Sequence, residues 1–265
     1  MPLSQQMVNP APSTPPNMTD DAFLGGRLHI LQPDKGYRAG IDAVFLASVI
    51  PATSGEAVFE VGIGAGVVAL CLLARVPQVH VTGIEINTRY AVLCEQNAKR
   101  NNFGNEVRVI HADAKDAMRR DLTSMPEHGS FAHAFANPPF FDEGKVTASP
   151  SLLKAQAHAF GAEDLQLWVK LLHSVVANRG TVTLVHRADS LGELLECMSG
   201  KFGDIRIAPL FPRQGQPASR IIVQGVKGSK APLQLLPGLN LHKQDNSFTP
   251  EAEAVLRSGA AWRLR

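Results

Sequence analysis

The stretch FEVGIGAG, residues 59–66, decides the fold, because it joins an apolar run to three closely spaced glycines. The apolar run and the helical pattern Val67–Arg75 that follows predict a buried strand, a tight turn and a helix. Gly62, Gly64 and Gly66 allow the backbone to turn sharply and to approach a ligand at the start of that helix. The dinucleotide pattern GxGxxG would need another glycine directly after Gly66, where valine stands. The spacing therefore disfavours a nicotinamide enzyme and favours another ligand over a plain tight turn.

Short apolar runs alternate with helical patterns along most of the chain, which is typical of crossover units in a parallel sheet. The runs that predict strands are Ala57–Val61, His80–Ile84, Val107–Ile110, Ala132–Ala136, Thr181–His186, Ile205–Ile207 and Arg220–Val226. The patterns that predict helices are Val67–Arg75, Arg89–Asn101 and Leu165–Ala177. Only a proline-containing loop separates the last two strands, so they should form an antiparallel hairpin. We therefore predict an α/β, Rossmann-like, mostly parallel sheet of seven strands that ends in this hairpin.

Acidic residues end the strands that follow the glycine turn. Glu85 precedes Ile86 at the end of the second strand, and Asp113 precedes Ala114 after the third. Open α/β sheets bind ligands at the carboxyl ends of their strands, where Glu85 can accept hydrogen bonds from two ribose hydroxyls. Asp113 can accept one from an adenine amino group. Together with Glu60 and the glycines, these residues predict a cofactor site; a helix cap or a surface carboxylate is the alternative for Glu85.

The tetrapeptide Asn137-Pro138-Pro139-Phe140 follows the fourth strand. A residue before proline is held in an extended conformation, and prolines have a fixed φ and no N–H, so this loop is stiff and rich in carbonyl acceptors. The Asn137 amide oxygen and a backbone carbonyl can accept both hydrogens of an –NH2 group, which aims the nitrogen lone pair at an incoming methyl group. Phe140 offers a flat face on which a base can stack. We predict an amine-methylating catalytic loop rather than a simple proline-rich turn.

The composition is that of an ordinary globular chain. Hydrophobic residues make up 45% and charged residues 19% of the 265 positions, and the net charge of +2 permits an anionic partner without requiring one. The three cysteines, Cys71, Cys94 and Cys197, form no CxxC pair, and no histidine pairs with cysteine or carboxylates at ligand spacing. We therefore predict buried free thiols and no bound metal.

The first 20 residues contain five prolines among Ser, Thr, Asn and Gln, which predicts a disordered tail. Residues 21–265 then continue as one Rossmann-like domain with a short lead-in and a carboxyl-terminal extension. The chain shows no basic stretch followed by an apolar segment at its start, and no apolar run long enough to span a bilayer. We expect a cytoplasmic protein with no membrane partner.

Further segments complete the pattern: GGRLHILQP (residues 25–33), YRAGIDAVFLA (37–47), KAQAH (154–158) and FPRQG (211–215). With the glycine turn and the tetrapeptide, they resemble the class I methyltransferases that carry Asn-Pro-Pro-aromatic, and most closely the bacterial valine-tRNA adenine-N6 methyltransferase family. The resemblance runs from about residue 21 to residue 254. It implies S-adenosylmethionine as cofactor and, as substrate, the N6 amine of an adenine beside the anticodon of a valine tRNA.

The resemblance also implies roles for individual residues. The family's Gly-x-Asp-x-x-x-Leu segment, here beginning at Gly40, packs beside the methionine end of the cofactor, which makes Asp42 a cofactor neighbour. The alternative for Asp42 is an N-cap of the following helix, and both can hold.

Six cations are candidate RNA contacts: Arg38, Lys145, Lys154, Arg187, Arg213 and Arg220. Arg213 and Arg220 rank first, because they flank the loop of the terminal hairpin near the carboxyl edge of the sheet. Scattered cations are more often solvated surface.

Three alternatives to the adenine-N6 reading stay open. Ribosomal guanine-N2 and protein glutamine-N5 methyltransferases carry the same type of tetrapeptide. A non-catalytic RNA-binding module of the same fold is the third, although such a module has no need of an intact Asn-Pro-Pro-Phe loop.

Overall fold

Strands alternate with helices over most of the chain. The computed structural model describes residues 17–119, 124–139 and 162–264. Its strands, in chain order, are β1 (Met18–Phe23), β2 (Leu28–Pro33), β3 (Ala57–Val61), β4 (His80–Glu85), β5 (Val107–His111), β6 (Phe131–Ala136), β7 (Val176–Arg187), β8 (Phe202–Arg213), β9 (Arg220–Lys227), β10 (Gln234–Leu235) and β11 (Leu239–His242). Its helices are α1 (Ile41–Val49), α2 (Val67–Arg75), α3 (Thr88–Arg100), α4 (Ala114–Arg119), α5 (Ala162–Val175), α6 (Leu191–Met198) and α7 (Pro250–Ser258).

The central sheet has the strand order β10-β8-β9-β7-β6-β3-β4-β5, with β11 also paired to β8. Strands β3 to β7 are parallel to their neighbours among themselves, whereas β9 runs antiparallel to both β7 and β8. Strands β1 and β2 form a separate antiparallel pair. Because parallel neighbours need crossover connections, the helices lie on the faces of the sheet and leave its carboxyl edge for the loops.

Two apolar cores lie on the two faces of the sheet. One contains Phe45 of α1, Leu70 of α2 and Val58 of β3; the other contains Leu172 of α5 and Phe59 of β3. Val58 and Phe59 are adjacent and serve opposite cores, because successive side chains of a strand point to opposite faces. All five are fully buried, and burying such a side chain contributes about 1.5–3 kcal/mol.

All seven predicted strands are present, and the antiparallel pairing of β8 with β9 confirms the predicted hairpin. The sheet nevertheless has nine strands rather than seven, because β10 and β11 are added beside β8. These strands have two and four residues, too few to show a period-two pattern. Strand β1 also begins at Met18, inside the predicted tail, where Asp20 forms an ion pair with Arg100 of α3.

The strand register aligns the ends of β3, β4 and β6 to within one residue, and β7 continues three residues beyond that level. Val61 of β3 lies opposite Ile84 of β4 and Ala136 of β6, and Ala136 lies opposite Leu184 of β7. The residues that follow these positions therefore meet at the carboxyl edge of the sheet, where open α/β sheets bind ligands.

Candidate active site

The glycine turn between β3 and α2 is held in a conformation that suits glycine. Gly62, Gly64 and Gly66 have φ values of 71°, 57° and 87°, in the left-handed region. A Cβ on Gly62 would lie 2.5 Å from the Trp168 ring of α5, and one on Gly66 would lie 2.8 Å from the Cys94 sulfur. The backbone of this turn therefore packs directly against its neighbours and leaves a narrow concave surface at the start of α2.

Glu85, at the end of β4, is tied to this turn. Its Oε2 accepts a hydrogen bond from the Gly64 N–H at 2.9 Å, and its Oε1 accepts one from the Asn87 N–H at 2.9 Å. Each oxygen keeps further lone-pair capacity, since an ionised carboxylate accepts about four hydrogen bonds. The two backbone donors therefore fix the orientation of the carboxylate at the predicted ribose position.

Glu60, on β3, is 1% exposed, and its Oε2 has no hydrogen-bond partner among the described residues. Burial and the nearby Glu85 carboxylate raise the pKa of Glu60 well above its ordinary value, while the Ala69 N–H at the start of α2 acts in the opposite direction. A buried carboxylate with an unsatisfied oxygen is suited to a cationic or hydrogen-bond-donating ligand.

Asp113 acts as a cap in this structure. Its Oδ1 accepts a hydrogen bond from the Lys115 N–H at 2.8 Å, which caps α4 directly before the buried Ala114. On the neighbouring strand, Ile86 is 63% exposed, and its carbonyl lies 2.9 Å from His111 Nε2. An exposed apolar side chain beside Glu85 and Asp113 offers a surface on which a flat ring can lie.

Asn137 follows β6 at the same edge. Its Nδ2 donates to the Tyr37 hydroxyl at 3.3 Å, whereas its Oδ1 is buried without a hydrogen-bond partner among the described residues. Pro138 is buried and Pro139 half-buried behind it. Phe140, the last residue of the predicted catalytic loop, lies outside the described residues, as do Lys145 and Lys154.

The glycine turn, Glu60 and Asn137 border one narrow, open cleft, and Glu85 and Asp113 are not among the residues that line it. Four predicted site residues line it: Glu60, Gly62, Gly64 and Asn137. The cleft is also lined by residues that the sequence did not single out as site residues, namely Gln32, Tyr37, Ala39, Ile63, Ala65, Val67, Val68 and Tyr90. Several of these come from β2 and the segment before α1, which are distant in sequence from the glycine turn.

Gly40 and Asp42 lie at the start of α1, next to the cleft residue Ala39. Gly40 occupies the N-cap position, so the expectation that Asp42 caps this helix is wrong. Asp42 instead lies within the first turn, where its Oδ2 is 3.1 Å from Arg220 Nε.

The remaining predicted RNA contacts have partners within the chain. Arg38 forms an ion pair with Asp21 at 2.7 Å, and Arg220 forms the pair with Asp42. Arg213, at the end of β8, hydrogen-bonds Asn246 and remains solvent-accessible. Arg187, at the end of β7, forms an ion pair with Asp189. Arg38 is the exposed member of this set, whereas Arg187, Arg213 and Arg220 are half-buried.

Asn97 is a structural residue that the sequence did not reveal. It is fully buried in α3, and its Nδ2 donates to the carbonyls of Leu31 and Ala65 at 2.9 Å each. Its Oδ1 accepts from the Leu31 N–H at 2.8 Å. One side chain thereby ties β2 to the glycine turn.

A family model described as "Methyltransferase small domain" matches residues 38–170, half of the chain. The chain belongs to this family. The matched range contains the whole glycine turn, Glu85, Asp113 and Asn137, whereas the cleft residues Gln32 and Tyr37 lie before it.

Curated relatives are similar over most of their length. A protein of Shewanella baltica named tRNA1(Val) (adenine(37)-N6)-methyltransferase is 24% identical over 202 residues, which cover 76% of this chain and 82% of the relative. A protein of Shewanella amazonensis with the same name is 27% identical over 220 residues, which cover 83% and 84% of the two chains.

Solved methyltransferase structures share the fold. One from Agrobacterium tumefaciens, described as a predicted O-methyltransferase, superposes with a TM-score of 0.68 at 23% identity and covers 84% of this chain and 98% of that one. A tRNA (m1A58) methyltransferase from Aquifex aeolicus gives 0.53 at 17% identity and covers 75% and 73%. The predicted Rossmann-like class I methyltransferase fold is thus confirmed, and this methyltransferase uses S-adenosylmethionine as its cofactor.

The described part of this methyltransferase contains no helix long and apolar enough to cross a membrane. Within the same residues, no group of three or more His, Cys, Asp or Glu side chains is placed to hold a metal ion. The predicted free thiols Cys71, Cys94 and Cys197 are all buried.

Proposed function

We propose that this methyltransferase transfers the methyl group of S-adenosylmethionine to N6 of an adenine in tRNA, beside the anticodon of tRNA(Val), and therefore acts in the cytoplasm. The relatives' names, which specify adenine 37 of tRNA1(Val), support the choice of base and RNA. The chemistry of the site supports the choice of an amine.

One observation carries the proposal: the Oδ1 atom of Asn137 is buried and has no hydrogen-bond partner among the described residues. An unsatisfied buried acceptor costs about 1–3 kcal/mol, so it marks a place where a donor is expected to bind. Because Asn137 ends β6 beside the glycine turn, that donor would sit next to the cofactor. An –NH2 group supplies such a donor, and a carbonyl of the proline loop can accept its second hydrogen.

When bound, the cofactor supplies an electrophilic methyl group on a positively charged sulfur. The Asn137 amide oxygen holds the amine so that its nitrogen lone pair points at the methyl carbon. The substrate nitrogen would form the new N–C bond with its lone pair, and the electron pair of the broken C–S bond would leave with the cofactor's sulfur. The methylated nitrogen, now positively charged, then loses a proton to water. The protein contributes orientation and proximity, which need neither a covalent nucleophile nor a metal ion.

The residues around the cleft fit this cofactor. We assign Glu85 to the ribose hydroxyls, because two backbone donors hold its carboxylate in place and leave acceptor capacity. Glu60, with its unsatisfied Oε2, is suited to the cofactor's ammonium group. Asp113, Ala114 and Ile86 border the adenine position, and Gly40 and Asp42 the methionine end.

The proposed RNA path follows the strands on the other side of Asn137. β7, β9 and β8 lie beyond β6 in that order, and Arg187, Arg220 and Arg213 lie at their ends on the carboxyl edge. With strands about 4.8 Å apart, Arg213 lies about 14 Å across the sheet from Asn137, and the strand registers place it about 17 Å further along the strand direction. Phosphate contacts at this distance fit a nucleic acid that enters over the β8 side.

The experiment is a methyl-transfer assay with S-adenosyl-[methyl-³H]methionine and tRNA from a strain that lacks the gene, followed by mass spectrometry of nucleosides. Wild type should form N6-methyladenosine in tRNA. Asn137→Ala should lose about 10²–10³-fold in kcat and keep its melting temperature and cofactor affinity, because one preorganised contact is removed. Asn178→Ala, an exposed asparagine at the amino end of β7, is the matched control and should remain fully active.

Two results would contradict the proposal. The alternative amine substrates would be favoured if tRNA stayed unmodified and the methyl group appeared on guanine in ribosomal RNA or on glutamine in a protein. An Asn137→Ala enzyme with wild-type activity would show that the amide does not orient the substrate.

A further inference from the structure

We propose that Tyr37 is a positioning residue for methyl transfer: its hydroxyl accepts a hydrogen bond from Asn137 Nδ2 and so holds the amide with Oδ1 toward the substrate amine. This inference rests on the proposed function. It concerns a residue outside the Asn-Pro-Pro-Phe loop, 100 positions away in sequence.

The Asn137 amide is oriented in the structure with Nδ2 toward the Tyr37 hydroxyl. An asparagine amide can flip by half a turn, which exchanges an acceptor for a donor at the same place. A flipped Asn137 would present Nδ2 to the substrate amine, and two donors would then face each other. In the structure, Nδ2 lies 3.3 Å from the Tyr37 hydroxyl, and Oδ1 remains as the acceptor. A phenol both donates and accepts, and we take the orientation that the structure shows.

Three side chains from three elements hold the segment that carries Tyr37. Tyr90 of α3 donates from its hydroxyl to the Tyr37 carbonyl at 2.8 Å. Gln32 of β2 accepts from the Ala39 N–H at 2.8 Å and donates to the Ala39 carbonyl at 3.2 Å. The Arg38–Asp21 ion pair adds a link to β1. An irregular segment fixed at every residue from 37 to 39 is suited to placing a side chain accurately.

Core packing does not account for Tyr37. The residue is 45% exposed, whereas the hydroxyl reaches into the cleft that Glu60 and Asn137 also line. Desolvation and the carboxylates of Asp42 and Glu60 raise the pKa of Tyr37, so the phenol stays protonated and neutral at physiological pH. A neutral phenol oxygen remains an acceptor for the Asn137 amide without adding charge to the site.

The test is Tyr37→Phe, which removes the hydroxyl and keeps the ring. We expect kcat for methylation of tRNA to fall about five- to tenfold, the effect of losing one orienting hydrogen bond. KM for tRNA, the Kd for S-adenosylmethionine and the melting temperature should stay within about twofold or a few degrees of wild type. A residue that only stabilised the fold would change the melting temperature and leave kcat unaltered.

A double-mutant cycle separates action through Asn137 from direct contact with the substrate. In the Asn137→Ala background, adding Tyr37→Phe should cause no further loss of kcat. A Tyr37→Phe enzyme with wild-type kcat would overturn the proposal, and so would an equal loss in both backgrounds.

The contact can also be measured without activity, which keeps this inference distinguishable from the proposed function. In a ¹H–¹⁵N spectrum, the side-chain amide pair of Asn137 is identified by its absence in Asn137→Ala. That pair should shift in Tyr37→Phe, because the ring is retained and only the acceptor is lost. An unchanged pair would overturn the contact, whereas a shifted pair in an enzyme that leaves tRNA unmethylated would contradict the proposed substrate alone.

Discussion

Replacing Gly62 with alanine should destabilise the methyltransferase more than replacing Gly64, although both glycines lie in the same turn. Both have left-handed backbone, with φ values of 71° and 57°. The two positions differ in what a Cβ would meet. At Gly62 it would lie 2.5 Å from Trp168 Cη2, whereas at Gly64 the nearest atom is the Gly62 oxygen at 3.9 Å.

The expected loss of stability is the sum of a backbone cost and a packing cost. A residue with a Cβ costs about 1–2 kcal/mol in left-handed backbone, and both alanine variants carry this cost. Overpacking a filled site costs about 1–3 kcal/mol more, and only Gly62→Ala carries that cost. The indole that it would meet belongs to Trp168 of α5, which packs against the core on that face and cannot move freely. We expect a loss of about 1–2 kcal/mol for Gly64→Ala and about 2–5 kcal/mol for Gly62→Ala.

The assay is urea unfolding followed by tryptophan fluorescence and circular dichroism, with the cofactor absent. Adding Trp168→Phe, a smaller ring, should recover part of the loss in Gly62→Ala and none of the loss in Gly64→Ala. Equal free energies of unfolding for the two alanine variants would refute the packing argument. It would mean that the turn tolerates a Cβ at Gly62 by moving away from α5.

Three further predictions concern stability, protonation and RNA. Asn97→Leu should lower the free energy of unfolding by about 2–4 kcal/mol, because three buried hydrogen bonds to the backbone are lost; a urea midpoint equal to wild type would contradict this. Glu60 has a raised pKa in the folded state, so its contribution to stability is present below its ordinary pKa and is lost as pH rises. Glu60→Gln should therefore gain stability relative to wild type as the pH rises above the ordinary pKa of glutamate, and a pH-independent difference in unfolding free energy would exclude the shift. Arg213→Ala should weaken tRNA binding and reduce its salt dependence by about one phosphate contact, whereas Arg179→Asn, at the opposite edge, should leave both unchanged. An unaltered salt slope in Arg213→Ala would remove Arg213 from the RNA path.

The glycine turn and the strand ends that carry the predicted cofactor residues were predictable because their determinants are local, and the roles of those residues stay predictions. A glycine turn and an acidic strand end are each specified by a few consecutive residues. Once the sheet is known to be parallel, its carboxyl strand ends must lie together at one edge. The predicted strand Ala57–Val61 and helix Val67–Arg75 match the structure at both ends. Glu85 and Asn137 were identified in the same way, each from its position after an apolar run.

Residues that act across long sequence separations were not predictable in this way. Asn97 bonds Leu31 from 66 positions away, and Tyr37 contacts Asn137 from 100 positions away. Neither belongs to a periodic pattern that would reveal its partner. A sequence signal for Tyr37 was present, since it opens a segment that resembles the family. Only the packing of β1 and β2 beside α3 in the structure shows where its hydroxyl lies.

The order of the strands places acidic residues on one side of β6 and arginines on the other, along the same edge of the sheet. On the side of β3, β4 and β5 the edge carries the carboxyl groups of Glu60, Glu85 and Asp113, which suit the proposed cationic cofactor. On the side of β7, β9 and β8 it carries arginines, of which Arg187 and Arg220 pair with Asp189 and Asp42, and Arg213 hydrogen-bonds the neutral Asn246. Asn137 ends the strand between the two groups. A carboxylate at this position would raise the pKa of Glu60 further and repel RNA phosphates, because like charges disfavour one another at short range. A neutral amide accepts the same hydrogen bond from an amine without adding charge to either side, which gives a physical reason for asparagine rather than aspartate at the boundary.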